Sequence, residues 1–337
     1  MTVLEDRDFV LYPKFRHNLW LRSEDCPELT YLTVSNGVYE VPSEQADKFL
    51  SIRSYCTGYN TVEEISRRSG VCVEEIKQIV APFQEAHITH PRIRKIDLLS
   101  EKNVEKALLT LSELFGEHLA ETNITLDILS GKLKKEAVLG WLCETYHYIK
   151  FFPDTLRIAL THAKGKMRKI IEKYAQQEDG HESFILKTLT AIGFSKEEIE
   201  KSVPLVSTKT IKFILEDLFS YEPASVFIVA SIIESAQYDD FSRRKFAKTM
   251  QKIYEFPLKM WDPFFKHIEI DSEFQHQQLL RENIFFVRKI NKNKLNDMVN
   301  KLHDLKHAFD LQKLEIINHY SNLGSYIPRQ FVNFFSI

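Results

Sequence analysis

Two acid and imidazole pairs stand at helical spacing in this chain. Glu178 and His181 are three apart in QQEDGHESF, and His267 and Asp271 are four apart in FFKHIEIDSEF, so on a helix each pair projects from one face towards a common point. Glu234 lies in VFIVASIIESAQ, where nearly every neighbour is apolar. A carboxylate buried there is costly unless it is paired, protonated or bound to a metal. Together these residues offer two imidazoles and three carboxylates from three helices, a donor set that suits a non-haem iron or manganese centre. Iron held by imidazole and carboxylate with open positions can bind and stepwise reduce dioxygen, which is otherwise kinetically inert towards closed-shell organic molecules. Apolar residues such as Phe227, Ile228, Ile232 and Phe264 would keep water away. Read singly, an E-x-x-H is common by chance and reads as a surface ion pair, His267 with Asp271 reads as an ordinary helix-face pair, and Glu234 as a carboxylate answered by a nearby Lys or Arg.

These residues need a helical frame, and the pattern from about residue 104 supplies one. EKALLTLSELFGEHLAE, KKEAVLGWLCETYHYIKFF, GKMRKIIEKYAQQEDGHESFILKTLTAIG, TIKFILEDLF, ASVFIVASIIESAQ, FSRRKFAKTMQKIYEF and the stretch from Met260 onward all read as helices. The series predicts a helical bundle. KINKNKLNDMVNKLHDLKHAFDLQKLEIINHY, with interleaved charges, reads as a final solvent-facing helix. The first hundred residues differ. Asn18 to Val41 is rich in Val, Thr, Tyr and Leu and carries the turn dipeptide Asn36-Gly37, which predicts short strands. SEQADKFLSIRSYC then opens on Ser43 as a cap, TVEEISRRSG has the Thr61 to Glu64 capping-box spacing and ends at Gly70, and Val73, Ile76, Ile79, Val80 and Phe83 mark a third helix running towards Pro91. Strands followed by helices in this order outline a small α+β, winged-helix-like domain. The fold class expected is therefore mainly α, a helical bundle of residues 104–337 preceded by a small domain of residues 1–92 and a linker of residues 93–103.

Composition closes off other classes. Lys plus Arg number 45 against 47 Asp plus Glu, a net charge of -2, so no global basic field attracts nucleic acid. The four cysteines, Cys26, Cys56, Cys72 and Cys143, form no CxxC pair, which argues against a disulfide framework or zinc knuckle and for a reducing compartment. The acidic start MTVLEDRDFVLYPKF lacks the features of a signal peptide, and no run approaches the length of a membrane span. A cytoplasmic protein is expected. Only 10 glycines in 337 residues fits a mostly helical chain.

The stretch LSGKLKKEAVLGWLCETYHYIKFFPDTLRIALTHA, followed by EDGHESFILKTLTAIGFSKEEI, resembles the haem-oxygenase-like superfamily that includes PQQ biosynthesis protein C and the TenA-like proteins. Its carriers are the G-K-L-x-x-E-x-V-x-G-W helix entry, the Tyr146-His147-Tyr148 run before Pro153, and G-H-E before a helix ending in A-I-G. Dimetal oxidases of that superfamily carry E-x-x-H, then a lone Glu, then H-x-x-x-D-x-x-H. Glu178, His181, Glu234, His267 and Asp271 fall in that order, but the last His of the pattern falls on Phe274, which binds no metal. His276 follows two residues later, about 200° away on a regular helix, so it serves only if the helix bulges there.

The resemblance implies an oxygen-dependent oxidase with iron (Fe2+), as one or two ions, and dioxygen as co-substrate. It implies an amino-acid or peptide substrate, with a homodimer among the assemblies it allows. Tyr146, His147 and Tyr174 are the expected catalytic residues, with Glu144 and Tyr148 beside them, although plain core packing explains such an aromatic run as well. PQQ biosynthesis protein C belongs to a cofactorless branch, so a metal-free oxidase in which His181 and the Tyr146 to Tyr148 run act as acid and base also stands.

Residues 1–92 resemble PQQ biosynthesis protein D, the RiPP recognition element. The resemblance rests on Leu29 to Val41, Asn60-Thr61 before Val62-Glu63-Glu64-Ile65, and Val73 to Ile88. It implies that this part binds the leader of a precursor peptide as an added strand. DNA binding would need a basic third helix, and VCVEEIKQIVAPFQEAH has one Lys against three Glu. A third reading, a binding or regulatory protein whose helical part is a degenerate enzyme, stays open.

Overall fold

The structure is a computed structural model that describes residues 19–22, 25–34, 37–85, 100–234 and 240–335. The chain divides into two compact units, Met1–Leu99 and Ser100–Ile337.

In the first unit, strands β1 (Leu19–Arg22), β2 (Leu29–Val34) and β3 (Gly37–Pro42) form an antiparallel sheet in sequence order. The β2–β3 register pairs Val34 with Gly37 and Leu29 with Pro42; Asn36 lies outside the described residues. Three helices follow, α1 (Ser43–Arg53), α2 (Val62–Ser69) and α3 (Val73–Glu85). Ser43 does not cap α1 as expected: it is the first helical residue, after Pro42, and its hydroxyl donates to the Pro27 carbonyl. The Thr61 capping box forms in full, with the Glu64 amide donating to Thr61 Oγ1 at 3.2 Å and the Thr61 amide to Glu64 Oε2 at 2.8 Å. Gly70 ends α2 at φ 77°, in the left-handed region a glycine adopts without strain. The apolar faces meet in a core of Leu32, Phe49, Ile52, Val62, Ile65, Ile76, Val80 and Phe83.

The second unit is helical among its described residues: α4 (Glu101–Thr122), α5 (Ile124–Leu129), α6 (Lys135–His162), α7 (Gly165–Glu178), α8 (Glu182–Ile192), α9 (Lys196–Lys201), α10 (Val206–Tyr221), α11 (Ser225–Ile233), α12 (Asp240–Tyr254), α13 (Trp261–Phe274), α14 (Leu279–Val287) and α15 (Lys292–Tyr320). The expected linker therefore ends early: Ser100 caps α4 through its hydroxyl, and residues 101–103 are already helical. Residues 93–99 lie outside the described part. The long helix α6 is central, packing on α7, α8, α10 and α15.

The expectation for α15 is overturned. Leu295, Met298, Leu302, Leu305, Ala308, Ile316 and Tyr320 are buried, because they recur at three- and four-residue spacing among the charges and build an inward stripe. Even Lys306 is buried, its Nζ 3.1 Å from Asp310 Oδ2 and 3.1 Å from the His118 ring nitrogens. Tyr320 closes the helix against α6, where its hydroxyl donates to Glu144 Oε1 at 2.8 Å. Among the described residues, no helix is long and apolar enough to cross a membrane.

Candidate metal centre

Four of the six sequence candidates come from places where helices begin, end or break. Glu178 is the last residue of α7; Gly180, at φ 85°, turns the chain, and His181 precedes α8. The E-x-x-H pair thus spans a helix junction, not one continuous face as expected, yet the turn still brings His181 Nδ1 within 3.4 Å of Glu178 Oε2. Glu234 terminates α11. His267 and Asp271 lie on the unbroken α13 as the spacing predicts, with Nδ1 to Oδ2 at 3.2 Å. His276 arrives by a different route from a bulge. Helix α13 stops at Phe274, Gln275 adopts φ 55°, and a short 3-10 turn (His276–Gln278) follows. A left-handed non-glycine residue is uncommon; this one turns the chain so that His276 is buried while Phe274 is left 40% exposed.

The six side chains form two triads, Glu178 with Glu234 and His276, and His181 with His267 and Asp271, each with its ligand atoms within 4.8 Å of one another. His276 Nδ1 is 3.0 Å from both Glu178 Oε1 and Glu234 Oε2, and His181 Nδ1 is 3.2 Å from Asp271 Oδ1. Glu178 spans the two triads, one oxygen on each side. The Gln177 side-chain oxygen sits 3.2 Å from His276 Nε2 and accepts its proton, which turns Nδ1 towards the carboxylates. A nitrogen lone pair facing two carboxylate oxygens at 3.0 Å requires a positive charge among them, either a proton or a metal ion. Glu178 Oε1, His181 Nδ1 and Asp271 Oδ1 are moreover buried without a hydrogen-bond partner among the described residues, despite their short separations. They converge on shared points instead of lining up as donor and acceptor, which is the arrangement of metal ligands. The donor set and the orphaned atoms therefore fit a metal.

Without a metal, protons balance the charges. Burial opposes the imidazolium of His181, but Asp271 and Glu178 outweigh it and hold its pKa up to about 10. Burial likewise opposes that of His276, which Glu178 and Glu234 hold up to about 9. Glu178 is drawn down against burial by the same two imidazoles, whereas burial and the nearby Glu178 push Glu234 up to about 7.

Tyr174, one turn before Glu178, belongs to the site: its hydroxyl donates to Glu234 Oε1 and its ring lies 4.3 Å from that of His276. Tyr146 and His147 do not. The Tyr146 hydroxyl accepts from Lys150 Nζ at 3.3 Å, and His147 points across to Ser202. Ser202 spends its proton on the Ile199 carbonyl at 2.6 Å, so His147 Nε2–H donates to Ser202 Oγ at 2.9 Å. The reason is helical phase: His147 and Glu144 share the face of α6 that meets the start of α10, where Glu144 accepts from the Leu205 amide and the Thr208 hydroxyl. Phe264 packs against Trp141, Phe246 and Trp261, and Phe227 stacks on Phe286; both serve the core. Gln177 was missed, and nothing local in QQED singles it out.

His147 carries a pH prediction. Burial, followed by Lys150 and Lys209, pushes its pKa down to about 4 from 6.5. The unfolded chain therefore binds the proton first, so the neutral His147 costs nothing above pH 6.5 and progressively more stability down to about pH 4. Two to three pKa units correspond to about 3 kcal/mol. Chemical denaturation at pH 7 and pH 4 should show a loss larger by about that amount in the wild type than in His147→Gln; equal losses would refute the assignment.

Comparison with known proteins agrees with this architecture. A family model described as the TENA/THI-4/PQQC family matches residues 125–303 of the 337. No curated protein sequence matches the chain. Among solved structures, a domain of unknown function with a haem oxygenase-like fold from Shewanella denitrificans is similar at 18% identity and a TM-score of 0.50, over 69% of this chain and 99% of its own. A TenA homologue from Pseudomonas syringae pv. tomato is similar at 12% identity and a TM-score of 0.50, over 66% of this chain and 96% of its own. At these identities the likeness establishes the haem-oxygenase-like fold.

Proposed function

Because the chain belongs to the TENA/THI-4/PQQC family, whose members are mostly enzymes of oxidase and hydrolase type, we propose that it is an oxygen-dependent oxidase working at a non-haem iron site. Its substrate is an amino acid, free or within a peptide, in a natural-product or cofactor pathway. The observation that carries this reading is the pair of buried triads sharing Glu178. Glu178, Glu234 and His276 would hold one ion, and His181, His267 and Asp271 the other. Imidazole and carboxylate donors without a thiolate favour iron or manganese. Iron bound there would supply the redox chemistry that lets dioxygen react with a closed-shell substrate.

The protein's own groups set the stage. Gln177 fixes the tautomer and tilt of His276, and Tyr174 holds Glu234 in place, the outer-shell roles that keep ligands oriented. The Phe184 ring, 6.2 Å from that of His181 and 6.3 Å from that of His267, would add an apolar wall beside the second triad. The metal-free alternative is weakened by the placement of Tyr146 and His147, which face other partners.

The first unit would recruit the substrate. A sheet in which β3 is an edge strand, followed by three helices, supports docking of an extended peptide, such as a precursor leader, along that edge. Helix α3 begins with Glu74 and Glu75, and Lys77 is paired with Glu74, which disfavours DNA. Metal analysis of protein expressed with added iron tests the reading: about two iron ions per chain are expected, together with turnover that a chelator stops. Full turnover of metal-free protein, or specific DNA retention with no metal, would overturn it.

A further inference from the structure

Tyr148 sits on α6 with its ring fully engaged, edge-on to Phe151 at 5.5 Å and Phe309 at 5.7 Å and tilted on Phe152 at 5.8 Å. Its hydroxyl is not engaged. The oxygen is buried and has no hydrogen-bond partner among the described residues, whereas a buried tyrosine ordinarily finds one. Its neighbours are committed: Tyr146 accepts from Lys150, and Tyr174 donates to Glu234. Aromatic contacts run from Tyr148 through Phe152 to Tyr174, whose ring lies on His276. The hydroxyl also feels Glu234, Glu178 and Asp271, carboxylates of both triads, and these add to burial in keeping its proton on well above the usual range. A buried donor with no acceptor among the described residues thus lies two ring contacts from Tyr174, in the field of a site whose own orphaned atoms, Glu178 Oε1, His181 Nδ1 and Asp271 Oδ1, are likewise buried.

We propose that the Tyr148 hydroxyl is the hydrogen-bond donor to a small acceptor ligand, of the size and lone-pair character of azide, that enters beside the two triads. This rests on the iron reading above. In the folded protein without that ligand the hydroxyl is an uncompensated polar group, and the ligand supplies the missing acceptor. Tyr148 thereby selects ligands with an exposed lone pair over apolar molecules of similar size.

Azide titration of the iron-loaded full chain, followed by absorption, tests the assignment. Tyr148→Phe should keep the wild-type iron content and raise the azide dissociation constant about tenfold, the worth of one hydrogen bond. Tyr146→Phe should change neither. Unchanged azide affinity at full iron content would overturn the role of Tyr148 alone; failure of the wild type to hold iron would overturn the iron reading and this assignment with it. The melting temperature of the metal-free protein gives a second check. Removing a hydroxyl that has no partner should leave it level or raised, and a fall of several degrees in Tyr148→Phe would show a structural partner and overturn the proposal.

Discussion

Replacing Glu178 by alanine is expected to strip iron from both triads, whereas Glu234→Ala and His267→Ala each empty one. Glu178 Oε1 stands 3.0 Å from His276 Nδ1, and its Oε2 stands 3.4 Å from His181 Nδ1. Glu234 and His267 each face a single triad. Loss of an outer-shell partner alone weakens metal affinity about 10- to 100-fold, so loss of a shared ligand should lower iron to background after desalting. Iron per folded chain, with circular dichroism to confirm folding, separates the three variants. Equal partial losses in all of them would contradict a shared carboxylate. The same series asks whether His276 does the work that the family pattern gives to position 274: His276→Ala should resemble Glu234→Ala, and Phe274→Ala should keep its iron.

Gly140→Ala is expected to lower stability strongly, although helix propensity alone favours alanine by about 1 kcal/mol. A Cβ at residue 140 would fall against Cδ2 and Cγ of Tyr320, well inside the ring's contact distance. The ring cannot yield freely, because its hydroxyl donates to Glu144 Oε1 at 2.8 Å, and Glu144 also takes the Leu205 amide at 3.0 Å and the Thr208 hydroxyl. Overpacking costs about 1–3 kcal/mol, and disturbing the buried hydrogen bond adds about 1–2 kcal/mol. Less the propensity gain, the net loss should be about 1–4 kcal/mol. Thermal or urea unfolding measures it, and a variant as stable as the wild type would mean that α15 shifts away from α6 at little cost.

Local chemistry was legible in the sequence because its causes lie within a few residues. The Thr61 and Glu64 capping box and the left-handed Gly70 are set by side chains three residues apart and by the absence of a Cβ. His267 and Asp271 share a face because α13 runs unbroken between them. What the sequence could not settle is where helices stop and which way a face turns once packed. The turn at Gly180 and the left-handed Gln275 decide that His181 and His276 reach the carboxylates; periodicity, which assumes a continuing helix, placed His276 on the wrong side. Packing against α10 turned Glu144 and His147 away from the triads, and packing on α6 and α10 drew the charged-looking α15 inward. Residue types and order thus determined by themselves that acids and imidazoles were available for a metal. Only the tertiary structure decided that six of them converge, that Glu178 is shared and that the Tyr148 hydroxyl is buried without a partner among the described residues, because convergence depends on contacts between segments up to a hundred residues apart.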